Sequence, residues 1–158
     1  MTDVSKSRLI IPTSIAFTAA LFSIGIAASD ASAATPKQLV VVERATTDST
    51  LDLGAKGDSA GDVLTFANEI FDKANKEKIG ADNGYCVRVV AGKAWECIWT
   101  LTLAKGQITV EGPFLDSGDS TLAITGGTGE YAHVRGDMLL HARNSQGSEY
   151  DFTYNLRE

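Results

Sequence analysis

Among the side chains able to do chemistry, Glu43 has the most unusual setting. It follows Leu39 and Val41 at alternate positions of a valine-rich run from Gln38 to Ala45. If that run is a strand, the three side chains share one face. A carboxylate on an apolar face is costly unless paired, and burial should raise its pKa. The competing reading is a solvated glutamate at a strand edge. Cys86 and Cys97, the two cysteines of the chain, come next. A two-residue turn at Ala91-Gly92 would set them opposite each other on adjacent strands, within reach of a disulfide. Such a bond is worth on the order of 2–3 kcal/mol and removes Cys86 from thiol chemistry. With both cysteines bridged, His133 and His141 are too few for a zinc set. Asp116 and Asp119, with Ser117, Gly118 and Ser120, are rich in oxygen but lack EF-hand spacing, and a β-turn accounts for them. No nucleophile elbow or P-loop is present, and no metal is expected.

The elements that must position these residues are strands. Gln38–Ala45, a short segment near Asp62–Ala67, Gly84–Val90, Ala94–Ala104, Gln107–Phe114, Ser120–Thr125, Val134–Arg143 and Ser148–Leu156 give about eight, mostly with short links. In one of them Cys97, Trp99, Leu101 and Leu103 fall on one side and Ile98, Thr100 and Thr102 on the other. In the last, Tyr150, Phe152, Tyr154 and Leu156 alternate with Asp151, Thr153 and Asn155. Apolar residues on both faces suggest that one lines an interior and the other meets a partner subunit. Asn68–Lys78 is the one helical candidate; it is polar and reads as a short turn or loop. The pattern is all-β and antiparallel, a closed barrel or a sandwich.

The N-terminus reads differently. Lys6 and Arg8 precede an apolar run from Leu9 to Ala28, and Ala31-Ser32-Ala33 follows. A basic start, an apolar middle and a small-residue exit predict a secretory signal peptide over residues 1–33, cleaved after Ala33. An uncleaved anchor is the alternative, although Pro12, Thr13, Ser14 and Ser23 dilute the run. Residues 34–158 then make a single domain, secreted or periplasmic, with no stable membrane anchor after cleavage. An oxidising compartment suits the cysteine pair. Cleavage removes Lys6, Arg8, Asp3 and Asp30, so the net charge stays at −6. Such acidity excludes nucleic acid from the expected partners.

From Gly61 onward the chain resembles the allene oxide cyclase barrel family. The likeness lies in Gly61-Asp62-Val63-Leu64-Thr65-Phe66-Ala67-Asn68, in Gly80 to Val87 (GADNGYCV), in Gly112-Pro113-Phe114 and in Leu122 to Gly129 (LAITGGTG). The stretch Gly126 to Gly136, with Glu149-Tyr150 beyond it, is also similar to the plant dirigent signature. Each motif alone is weak; their order carries the resemblance. It implies an up-and-down barrel of about eight strands, lipocalin-like in architecture, around a hydrophobic cavity and often assembled as a homo-oligomer, a trimer or a dimer. It further implies cofactor-free chemistry, in which a reactive hydrophobic substrate is held in one geometry until it cyclises or isomerises.

The resemblance also assigns roles to residues. Glu43 matches a cavity glutamate that stabilises positive charge developing on the substrate. Asn68 matches an asparagine that helps hold a water near the substrate oxygen, though it could equally be a turn residue. Arg135 matches the dirigent arginine near the cavity; it could instead form an ion pair with Glu43 or Asp137. Phe66, Trp99, Phe114 and Tyr131 would be cavity walls. The chain departs from the cyclase pattern at Ala45, where the family has an asparagine, and in the polar loop Ala55–Gly61, which lacks the family's Ser-Pro. These departures count against allene oxide cyclase activity itself. The sequence thus points to a barrel that binds a small hydrophobic molecule and guides its cyclisation or isomerisation, with a non-catalytic lipocalin-like carrier as the alternative. A barrel packed solid is a third possibility.

Overall fold

The computed structural model describes residues 37–157, so the expected signal peptide, residues 1–33, lies outside the described residues. Ten strands form one sheet: β1 (Lys37–Arg44), β2 (Ser49–Leu51), β3 (Val63–Phe66), β4 (Glu69–Asp72), β5 (Lys78–Val90), β6 (Ala94–Leu103), β7 (Gly106–Leu115), β8 (Ser120–Gly127), β9 (Arg135–Ala142) and β10 (Glu149–Arg157). A 3-10 turn, Gly129–Tyr131, sits between β8 and β9. Strands β5 to β10 pair antiparallel in chain order, and β10 continues to β1, β1 to β4 and β4 back to β5. The ring is closed. β3 and β4 lie on different stretches of β5 and act as two halves of one broken strand, so the architecture is a closed eight-stranded antiparallel barrel. β2 pairs with β3 alone.

Two expectations need correction. Asn68–Lys78 is not simply a turn, because it contains β4, with Ile70 and Phe71 buried. Its polar average hides that apolar pair. The tight turn that follows is organised by Asp72, whose Oδ1 accepts hydrogen bonds from the Lys76 and Glu77 amides (2.7 and 3.0 Å). β5 also starts at Lys78, well before Gly84. Its early residues have poor strand propensity for a packing reason. A Cβ at Gly84 would collide with the Trp99 Cβ and the Ile98 carbonyl, so the missing side chain lets β6 lie close.

The β5–β6 hairpin differs in detail. Its loop is Ala91-Gly92-Lys93, with Val90 opposite Ala94, and a bulge at Val89 restores the register below it. Cys86 therefore faces Cys97 as expected, with Cα atoms 4.0 Å apart, and the two form a disulfide inside the barrel.

Alternation fills the lumen. Trp95, Cys97, Trp99 and Leu101 point inward from β6, and Phe152, Tyr154 and Leu156 from β10. Trp99 bridges the interior, with its ring 5.9 Å from Phe66 and 5.6 Å from Phe152. An eight-stranded barrel is only just wide enough for its own side chains. Here they occupy most of it.

Candidate functional site

The carboxyl groups gather inside one end of the barrel, where β1 and β5 meet the break between β3 and β4. Glu43 lies on the inward face of β1 and is 5% exposed. Asn68, at the break, is buried and supplies its partner: Asn68 Nδ2 donates to Glu43 Oε1 (2.9 Å) and to Asp48 Oδ1 (2.8 Å). Its Oδ1 accepts from the amides of Thr46 and Thr47 (3.0 Å each) and from Thr47 Oγ1 (2.9 Å). Donors and acceptors on both sides fix the amide's orientation. The Asn68 backbone stays in register with β5, donating to and accepting from Asp82 at 3.0 Å in both directions.

Asp82 points inward from β5, two residues before Gly84 and four before Cys86. It is 1% exposed, and its Oδ2 has no hydrogen-bond partner among the described residues. Its carboxyl neighbours that of Glu43, and repulsion between two buried carboxylates favours a proton on one of them. Burial pushes the Glu43 carboxyl well above the usual range, and repulsion from Asp82 adds to it. Burial likewise pushes Asp82 up to about 7. Beside this pair, burial raises the Tyr154 and Tyr150 hydroxyls. A carboxyl pair that holds a proton near neutrality can both donate and accept one, as acid–base chemistry demands.

Above the pair is a cleft at the barrel's end. Glu43 and Asp48 are its ionisable carboxyls; its walls are Phe66, Trp99, Phe114, Tyr150 and Phe152, with Leu64, Leu140 and the disulfide. Phe66, Phe114 and Tyr150 are half-buried and form the mouth. The cavity volume is about 30 Å³. That is room for about one water and far below the ~300 Å³ at which ligand pockets usually begin. The spacious hydrophobic cavity implied by the resemblance is filled here by aromatic side chains.

Of the residues named from sequence, Glu43, Asn68, Phe66, Trp99 and Phe114 come together at this end. Arg135 and Tyr131 do not, which corrects both. Arg135 is exposed at the start of β9 opposite Arg157, whereas Glu43 pairs with Tyr150 at the other end of β10. Tyr131 lies in the 3-10 turn beside Gly127 and the start of β7, while Phe114 is near that strand's far end. The glycine turn carrying both lies at the opposite end of the barrel. The calcium-like segment is also accounted for: Asp116 pairs with Arg88 (2.6 Å) and Asp119 with His141 (2.7 Å). Sequence reasoning missed Asp82, Asp48 and the tyrosines. Counting back by twos from Cys86 would have placed Asp82 inside, whereas nothing local marks Asp48.

A family model described as Allene oxide cyclase matches residues 33–146. Among solved structures, a pyocyanin demethylase is 24% identical with a TM-score of 0.64, covering 73% of this chain and 98% of that one. An exo-specific intermolecular Diels-Alderase is 14% identical with a TM-score of 0.62, covering 76% and 96%. A pterocarpan synthase dirigent protein is also 14% identical with a TM-score of 0.62, covering 80% and 98%. At these identities the likeness to the three structures carries the fold.

The buried pair has a consequence for stability. In the unfolded chain an Asp loses its proton near about pH 4, while in the barrel Asp82 keeps it to about 7. Between those values the folded state binds more protons than the unfolded one, so stability falls as pH rises through the interval. Glu43, raised by the same burial, extends the fall. Asp62 and Asp72, held low by backbone amides, act at more acidic pH and do not mask it. The thermal midpoint is expected to drop between about pH 5 and pH 8, and Asp82→Asn should flatten that slope. A variant whose slope matches the wild type would contradict the assignment.

Proposed function

The chain belongs to the allene oxide cyclase family, and from that premise we propose that it binds a small, largely apolar molecule at the Glu43 end of its barrel and guides a cofactor-free cyclisation or isomerisation there. The observation that carries this reading is a pair of buried carboxyl groups, Glu43 and Asp82, at the base of an aromatic cleft. Aromatic walls hold an apolar body in one conformation and keep water out, which lowers a barrier through orientation. The Glu43–Asp82 pair would hydrogen-bond a substrate oxygen when protonated, and Glu43 would stabilise developing positive charge when not.

Binding requires the mouth to open. Phe66, Phe114 and Tyr150 are half-buried, so turning them outward exposes less new apolar surface than moving a core side chain would. The small cavity favours a second reading, in which the barrel is packed solid and structural. A neutral fluorescent probe, N-phenyl-1-naphthylamine, separates the two. Saturable binding, tightened by Phe114→Ala, is expected if the mouth opens; no binding to either protein would leave the packed barrel. Mass spectrometry of copurifying molecules then reads the chemistry. A product on the wild type and an unmodified precursor on Glu43→Gln would support catalysis, and the same molecule on both would make the protein a carrier.

The same reading has the protein exported with residues 1–33 removed. Two observations support this: the family match begins at residue 33, and a disulfide suits an oxidising compartment. Protein recovered from outside the cytoplasm should have the intact mass of a chain starting at Ala34. The mass of the full chain would contradict cleavage.

A further inference from the structure

The cleft that serves the proposed function has a charge and a surface that select among apolar ligands. Among the described residues, five aromatic side chains line it, and its carboxyl groups are those of Glu43 and Asp48. Neither lysine nor arginine is among the lining residues. The nearby buried guanidinium, Arg88, is already held by Asp58 (2.7 Å) and Asp116 (2.6 Å) and lies 3.9 Å over the Trp95 ring. It has no charge to spare for an anionic ligand. Below the cleft, Asp82 adds a third carboxyl, 1% exposed, with Oδ2 unpartnered. Ring faces attract cations through their quadrupole, and a carboxylate behind them adds direct Coulomb attraction in a partly dry site. An anionic head group such as a fatty-acid carboxylate would meet like charge with no counter-ion.

We propose that the ligand of this cleft is an organic cation, a planar or compact apolar body carrying a quaternary or N-alkylated nitrogen, held over the aromatic walls with its charge toward Glu43 and Asp48. The proposal rests on the binding reading above and deepens it. Asn68 supports the geometry, since its amide holds both carboxyls on the same side of the cleft. Binding is linked to protons. The groups facing Glu43 are Asp48, Asp82, Tyr150 and Tyr154, and a bound cation favours the ionised form of the acids among them. Because the Glu43–Asp82 pair holds a proton near neutrality, a bound cation favours its release, so affinity rises with pH.

Two probes of the same shape test this, N-methylquinolinium as the cation and 1-methylnaphthalene as the neutral isostere, each measured by equilibrium dialysis against the whole protein. At pH 8 the cation is expected to bind at least about 10-fold more tightly. That preference should shrink as pH falls toward about 6, where the neutral probe is unaffected. It should also disappear in the Glu43→Gln, Asp48→Asn double variant, in which Asn68 still has oxygen acceptors. A preference that survives the double variant would assign the effect to the acidic surface and overturn the proposal. If that variant fails to fold, the wild-type pH profile decides instead, and a preference that stays constant with pH overturns the proposal. Equal or tighter binding of the neutral probe overturns the cation while leaving an apolar site; binding of neither probe removes the site as well.

Discussion

The Asn68 side chain is the interaction on which this end of the molecule depends. It occupies the point where one barrel strand breaks into β3 and β4, a place where backbone groups lose their ladder partners and need others. Its oxygen takes up the Thr46 and Thr47 amides, and its nitrogen gathers Glu43 and Asp48. The backbone of the same residue keeps Asp82 in register on β5. One residue thus closes a loop, preserves the ring of strands and brings acidic side chains from separate segments to one point. A neutral amide can neighbour several carboxyls without adding charge; an aspartate there would add another like charge, and an alanine would leave buried polar groups unpaired, at about 1–3 kcal/mol each.

The barrel's circumference supplies the second constraint. Eight strands leave a lumen that side chains can fill, and Trp99, Phe66 and Phe152 fill it. Burial of the carboxyl pair follows from that filling, because water is excluded from below. The reach of the cleft follows from it as well, since space for a ligand must come from the half-buried rings at the mouth. The disulfide between β5 and β6 pins two of the cleft's wall strands to each other. Stability and a proton held near neutrality therefore come from the same packing.

Much of this was legible in the residues. Period-two alternation identified the inward faces of β6 and β10, and an assumed tight hairpin paired Cys86 with Cys97 despite an unforeseen bulge at Val89. Glu43 was picked out by the resemblance, and its place on a valine-rich strand agreed, since a buried acid is costly unless paired. Other features were hidden for physical reasons. Ile70 and Phe71 were diluted by a polar stretch, and the early half of β5 looked like a loop because close strand approach at Gly84 demands glycine. Arg135 and Tyr131 were misplaced because a motif records residue order and not the end of the barrel at which a turn falls. Asp48 lies in a loop, and its nearness to Glu43 exists through Asn68 alone.

Carbon-13 NMR titration of the Glu43 and Asp82 carboxyl carbons tests the buried pair most directly. The account predicts that both midpoints lie above the ordinary carboxyl range and that each curve bends where the other group titrates. Two independent transitions in the range of exposed acids would contradict it, and with it the chemistry assigned to this end of the barrel.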